Sequence, residues 1–421
     1  MTNAYINAEP SILVAIDISK ERHDILIEFP DKIKRKRMII RNIQEDYDLL
    51  INYLHAFNTK VIVGFEATGN YHRCLAWRLL TEKFHLKLIS SVALARTREA
   101  LHNSWDKNDP KDAQVILYML KVGITQHYHD PLQGNILHLQ ELSKTHEVIS
   151  KSKTEAWHRI LTHYLPLYFP EAARFQGKSR STWFINFLYH FPTPTSITHF
   201  SKEDFIKEAW PIVGRKVSKQ NLLGDIYETA KASIGLPLAI DSPAILMFKL
   251  VLQEALHLIK QRQIIENQAE SLLKENKDYQ LLKQVPGIGP IHALTILAEA
   301  GDLRRFAHHR QFLKYCGLDL ATYQSGLFKG QTKLSKYGNA RLRRTFWMAS
   351  QTAILKVDNS FRDKFERYIA RDRDNRDLRR KAYTAVTAKM ARTVHAIIKN
   401  KTDYRPFYIQ GSDTRRKDPS L

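Results

Sequence analysis

The order of apolar runs over residues 11–121 constrains this chain more than any other feature. Residues 11–18 (SILVAIDI) form an apolar, β-branched run with Asp17 near its end. Two further strand-like runs follow, 24–29 and 36–42 (KRMIIRN), with a turn around Pro30-Asp31 between them. Three strands in quick succession predict antiparallel hairpins. The pattern then changes period. Residues 45–57 read as a helix, 60–65 (KVIVGF) as a buried strand, 71–83 as a helix, 86–89 as a strand and 93–102 as a helix. After a polar break (NSWDKND), residues 110–121 read as one more helix. Three strands and then helix-strand-helix-strand-helix is the order of a ribonuclease-H-like α/β domain, with 11–18 as its central strand.

The carboxylates fit that order. Asp17 falls on the central strand, Glu66 directly after the fourth strand, and Asp109 and Asp112 three apart at a helix start. Residues at that spacing share one helix face. Four acids meeting at one point repel unless cations neutralise them, and oxygen-only ligands suit Mg²⁺ and phosphodiester displacement. A plainer reading stands beside this one. Asp109 before Pro110 also fits a helix cap followed by an N1 proline, with Asp112 at N3, where acids favour the helix dipole.

Composition narrows the class. Lys and Arg number 65 against 43 Asp and Glu, a formal charge of +22 on 421 residues. The cations are spread along the chain, which predicts several faces that attract polyanions, nucleic acid first. Hydrophobic residues make up 43%, enough for packed cores, which excludes a wholly disordered chain. No apolar run reaches the roughly 18–20 residues of a membrane span. Two distant cysteines, Cys74 and Cys316, exclude a disulfide framework or a Cys-rich zinc module. The N-terminus lacks a secretory pattern, so the expected compartment is cytoplasmic.

The middle of the chain says less. Residues 137–165 read as helical. Trp183, Phe184, Phe187, Tyr189 and Phe191 suit either base stacking or the core of a small helical subdomain. Residues 244–276 form a long helix without Gly or Pro after its start. Its apolar residues Ile245, Leu252 and Ile259, and then Leu258, Ile265 and Leu272, repeat every seven positions. That repeat predicts a helical hairpin or coiled coil, with a dimerisation stalk as one outcome and packing within the chain as the other.

Residues 281–300 read LLKQVPGIGPIHALTILAEA, a helix, a tight turn at Gly287-Ile288-Gly289 and a second helix. This is a helix-hairpin-helix pattern, whose glycines let backbone N–H groups approach a phosphate. Next come residues 315–344, YCGLDLATYQSGLFKGQTKLSKYGNARLRR. Ser325 lies there in a loop, with Lys329, Lys333, Lys336, Arg341, Arg343 and Arg344 around it in sequence. A hydroxyl among cations is a candidate nucleophile at phosphate, although a Ser-Gly in a basic loop is also a common turn. Residues 372–393 read as a basic helix pair that contacts phosphate.

Taken together these segments resemble the DEDD-type insertion-sequence transposases, a family that includes the Piv-type DNA invertases. One block is VAIDISKERHDI, VGFEATGNYHRCLAWRL and KNDPKDAQVIL. The other runs from VPGIGP to GNARLRR. Asn108 stands where the family often has Thr, and residues 165–240 carry no matching motif. The resemblance implies a RuvC-like domain over 1–130, a helical and coiled-coil region over 131–275, and a mainly helical C-terminal transposase domain with the helix-hairpin-helix over 276–421. It implies that Asp17, Glu66, Asp109 and Asp112 form a Mg²⁺-binding tetrad. It implies that Ser325, in QSG, is a nucleophile forming a covalent link to DNA, with Ser335 in LSKYGN as the neighbouring candidate. Implied partners are donor and target DNA, a structured guide RNA from the element's ends, and further copies of the chain as a dimer or tetramer. Two rivals remain: a junction-resolving or structure-specific nuclease that activates water, and a catalytically silent nucleic-acid-binding protein.

Overall fold

The computed structural model describes residues 10–30, 34–57, 59–102, 109–128, 136–176, 182–213, 218–322, 324–325, 328–330, 332–355 and 359–406, with the side chains of 102, 109, 110, 325, 328 and 329 outside that description. The chain divides into two compact units, Met1–Gln133 and Gly134–Leu421. The first is mixed α/β and the second mostly helical.

The first unit is built on strands β1 (Ile12–Ile18), β2 (Arg22–Glu28), β3 (Lys36–Arg41), β4 (Val61–Glu66), β5 (His85–Ile89) and β6 (Gln126–His127), in the order β3-β2-β1-β4-β5-β6. Strands β1, β2 and β3 pair antiparallel, and β1, β4 and β5 pair parallel. This agrees with the three hairpin-linked strands and central first strand expected from the sequence. The short sixth strand was not expected.

Alternation along the strands divides the sheet into two faces. Val14, Ile16, Ile25, Ile27, Val63 and Phe65 form one core with α1 (Gln44–His55) and α2 (His72–Thr81). Leu13, Ala15 and Leu26 pack on the other face with Leu94 of α3 (Ser91–His102) and Ala113, Ile116 and Leu117 of α4 (Asp109–Lys121). Helix α4 lies so close that a Cβ on Gly64 would meet the Leu120 side chain at 2.6 Å. Glycine is what lets the helix settle onto β4.

The second unit contains α5 (Ile136–Arg159), α6 (Leu165–Tyr168), α7 (Thr182–His190), α8 (Pro194–Thr198), α9 (Lys202–Ala209), α10 (Lys219–Lys231), α11 (Pro243–Leu273), α12 (Lys277–Lys283) and α13 (Pro290–Ala300). It continues with α14 (His309–Tyr315), the two-residue strands β7 (Leu320–Ala321), β8 (Gln324–Ser325), β9 (Phe328–Lys329) and β10 (Lys333–Leu334), and then α15 (Ala340–Leu355), α16 (Ser360–Ile369) and α17 (Arg376–Asn400). Helix α5 runs into a single π-helical stretch at Ile160–Tyr164.

One expectation is corrected here, and two open alternatives are decided. The basic tail is one long helix, α17, and not a pair: the Asn375 side chain caps its start by accepting from the Leu378 N–H, and no Gly or Pro interrupts the following 25 residues. The heptads of α11 pack within the same unit. Ile245, Leu252 and Ile265 are buried, whereas Leu272 is exposed. The partner of α11 is α5, and the two run antiparallel, because His146 meets Glu266 while Arg159 meets Glu254. The aromatic cluster is core: Phe184, Phe187 and Phe191 are buried beside Trp157 and Phe248, with Trp183 and Tyr189 packed against them.

Candidate active site

Asp17 and Glu66 stand at the same end of two neighbouring parallel strands. Ile16 pairs with Phe65, so the next residues along, Asp17 and Glu66, are level. Their positions in the alternation put both on the α4 side, with Ala15 and Gly64. Helix α4 runs antiparallel to β1. Ala113 and Gln114, just after its first turn, line a small cavity with Asp24, which pairs with Asp17, while Lys121 at its far end binds Glu28, whose strand position borders Leu13. The turn that carries Asp109 and Asp112 therefore lies at the end of the sheet where Asp17 and Glu66 emerge. Asp109 begins α4, and its side chain lies outside the described residues.

Asp112 is 2% exposed, and its carboxylate meets Arg98 Nε of α3 at 2.6 Å. A carboxylate removed from water needs such a partner. We expect Arg98→Met to lower stability by about 3–5 kcal/mol, read from urea unfolding, because it takes the guanidinium away from a buried acid. A loss under about 1 kcal/mol would show that Asp112 does not depend on Arg98.

One acid escaped the reading of the sequence. Asp24 lies directly across from Asp17, is 5% exposed, and is held by Arg37 at 2.9 Å. Like charges facing across a strand pair destabilise it, and Arg37 offsets that here. The signal was available: a four-residue loop between Ile18 and His23 places 17 opposite 24 once the hairpin is assumed. The donors on this face are carboxylate oxygens, the type a hard divalent cation takes. Among the described residues, no three His, Cys, Asp or Glu are arranged to hold a metal ion. The expected meeting of four acids at one point is thus not seen for Asp17, Glu66 and Asp112 alone. Two of the acids at this edge, Asp24 and Asp112, are paired with arginines.

In the second unit, the backbone of Ser325 pairs with Phe328 across the β8–β9 hairpin. The Ser325 hydroxyl, Gly326 and the Lys329 side chain lie outside the described residues. Ser335 follows β10. Its N–H donates to the Asp319 carbonyl at 2.9 Å, and its hydroxyl donates to the Asp319 carboxylate.

The cations near Ser325 in sequence have different fates. Arg341 binds Glu147 at 2.9 Å, Ser143 at 3.0 Å and Glu299. Arg343 donates to the carbonyls of Cys316 and Lys336, both at 3.2 Å. Arg344 reaches Glu147 at 3.2 Å with more than half its side chain exposed. Lys333 and Lys336 are exposed. A cavity of about 350 Å³ beside this loop is lined by Leu318, Leu334, Arg343, Arg344, Trp347 and Thr384.

The Gly-Ile-Gly turn links α12 to α13, with Gly289 as the N-cap of α13. Gly287 has φ +88°, and a Cβ there would lie 2.0 Å from the Ala349 carbonyl oxygen of α15. Helix packing accounts for this glycine without a phosphate. A Cβ on Gly289 meets nothing within 4 Å. The adjoining cleft, about 500 Å³, is lined by Glu266 and Glu270 as well as Arg262.

Comparison with known proteins gives two family matches. Residues 14–170 match the IS110-type DEDD model described as Transposase, and residues 279–366 match the model described as Transposase IS116/IS110/IS902 family. The transposase for insertion sequence element IS1111A of Coxiella burnetii is 29% identical over 140 residues, 33% of this chain and 38% of that protein. A family 20 transposase assigned in Pseudomonas aeruginosa is 30% identical over 142 residues, 34% of this chain and 41% of that protein. The mini-circle transposase assigned to IS117 in Streptomyces coelicolor is 25% identical over 334 residues, 75% of this chain and 78% of that protein. The chain thus spans about two fifths of the length of the first two relatives.

Proposed function

We infer that this chain, which carries IS110/IS116/IS902-family DEDD transposase domains, is the transposase of an insertion sequence that cuts and rejoins DNA strands. The observation that carries the reading is the sheet edge where Asp17 and Glu66 stand level on adjacent strands, at the end of α4 that bears Asp109 and Asp112. A ribonuclease-H-like, RuvC-type domain accounts for that strand order. In this reading Asp17, Glu66, Asp109 and Asp112 would hold a divalent cation, Mg²⁺ by donor type, which would supply positive charge at the scissile phosphate. Arg98 holds the Asp112 carboxylate in place, and Arg37 holds that of Asp24 beside Asp17.

Ser325 is the nucleophile of this mechanism. Its Oγ–P bond forms as a strand's P–O bond breaks, and the hydroxyl proton ends on the released sugar oxygen. Attack by another strand's hydroxyl reverses the exchange, so no external energy source is needed. A structured RNA from the element's ends guides the protein, and the +22 charge supports such a polyanionic partner. The Gly-Ile-Gly turn belongs to a helix-hairpin-helix in this reading, with Gly289 as its open position. Recombination cuts four strands, which calls for paired subunits. Exposed Leu246, Met247 and Leu250 on α11 supply apolar surface for that pairing.

A second reading moves the nucleophile to Ser335, because its hydroxyl already donates to a carboxylate, that of Asp319. Denaturing gels after incubation with cognate DNA separate the possibilities. We expect a protein–DNA adduct from the native chain and from Ser335→Ala, and none from Ser325→Ala. The opposite pattern moves the attack by ten positions. Free nicks without adduct make the chain a nuclease, and intact DNA makes it a binding protein. Binding should also weaken by about 10³-fold or more between 50 and 200 mM salt, as for a protein with six or more phosphate contacts. An affinity flat across that range would remove the basic surface from the interface.

A further inference from the structure

Helices α16 and α17 pack together and bring four cations close enough to act on one another: Lys364 and Arg367 from α16, and Lys389 and Arg392 from α17. Lys389 is half-buried. Its Nζ donates to the Ser360 carbonyl at 2.7 Å and lies 5.5 Å from the centre of the Phe361 ring. Among the described residues, Arg367 donates to the backbone carbonyl of Asp363, at 3.3 Å.

Burial and the neighbouring cations act together on the two lysines. Burial, and then Lys364 and Arg367, push the Lys389 ammonium down to about 8. Asp363 opposes the shift, and Arg392 adds to it. Burial, followed by Arg392 and Arg367, lowers Lys364 as well. A fold gains nothing from holding like charges together in a partly dry place. A bound polyanion removes the repulsion, and two guanidinium forks beside two ammonium groups match phosphate oxygens.

We propose that the face formed by Lys364, Arg367, Lys389 and Arg392 is a binding site for the phosphodiester backbone of a nucleic acid, using none of the residues of the carboxylate edge or the serine loop. That the cluster takes phosphate stands on these contacts. That the phosphates belong to a nucleic acid rests on the transposase reading.

The test uses the full chain with a short DNA duplex, an RNA hairpin and inorganic tripolyphosphate. The variant Lys364→Gln/Arg367→Gln/Arg392→Gln is compared with Lys207→Gln/Lys231→Gln/Lys260→Gln, which removes the same charge from other helices. Loss of three contacts should make the log–log salt slope on the duplex shallower by about 2–3, and the control set should change it by less than 1. Whichever nucleic acid shows the larger difference is the one held there. Tripolyphosphate should raise the Tm of the native chain and of the control but not of the cluster variant. Should the triple variant fail to fold, exposed Arg367→Gln alone should lower the slope by about 0.9.

A pH series adds a signature that lost packing would not produce. Lys389 loses its proton as pH rises through about 8, so duplex affinity should fall about tenfold between pH 7 and 9. Lys389→Arg, which keeps its charge, should flatten that fall. Equal slope changes in the cluster and control variants overturn the proposal. Tripolyphosphate stabilisation without nucleic-acid binding keeps the phosphate site and overturns the transposase reading instead.

Discussion

Replacing Glu66 by Gln is expected to abolish strand cleavage, by about 10²–10³-fold or more, while the sheet stays folded. Glu66 ends β4, level with Asp17 on β1, and it lies on the α4 side of the sheet with Asp24 and Asp112 nearby. Gln keeps the volume and the hydrogen-bonding reach but removes one of the negative charges that a divalent cation would answer. In the cation-free protein the same change relieves repulsion at that strand end, so the Tm should hold or rise slightly. Cleavage assays with and without Mg²⁺, beside thermal melts, check both halves. Full cleavage by the Gln variant in Mg²⁺ would sink the role given to this edge. A fall in Tm of several degrees would make Glu66 a structural residue instead.

The second large effect is on stability. Gly287→Ala should cost about 3–5 kcal/mol, because the added Cβ meets backbone that cannot swing aside, and because φ +88° strains any L side chain. The Ala349 carbonyl lies 2.0 Å and the Ala353 N–H nitrogen 2.9 Å from that Cβ, both inside α15. Gly289→Ala, with an ordinary φ of −94° and open space around it, should cost about 1 kcal/mol or less. The pair separates packing from recognition. Urea unfolding reads the first, and duplex affinity of the well-folded Gly289 variant reads the second. Equal stability losses in the two variants would refute the assignment of Gly287 to helix packing. An unchanged affinity in the Gly289 variant would take the turn out of the DNA interface.

The elements of the first unit could be read from the chain because their signals are local. A β-branched run such as ILVAIDI, and a helix such as 109–121 opened by Asp-Pro, declare themselves within a dozen residues. The level positions of Asp17 and Glu66 follow from lying at strand ends, where a residue's place is set by its own strand. The Gly-Ile-Gly turn was legible as a turn for the same reason, but its packing partner in α15 was not.

What folding decided is which distant group answers each charge and each apolar face. Arg341 looked like a phosphate contact from its basic neighbours, but it meets Glu147 and Glu299, which lie 194 and 42 positions away. Asp112 looked like an N3 acid favoured by the helix dipole or a metal ligand, and Arg98 of a neighbouring helix reaches its carboxylate. The heptads of α11 announced a partner helix without naming it, and the partner is α5, more than 100 residues earlier. Periodicity and turn chemistry act over one or two turns of chain, so the sequence by itself determined the order of strands and helices and the ends at which the acids stand. Ion pairs and core contacts form between whatever surfaces the tertiary structure brings within a few ångströms, so only that structure decided which acids were paired, which cations remained exposed and which face of each helix was covered.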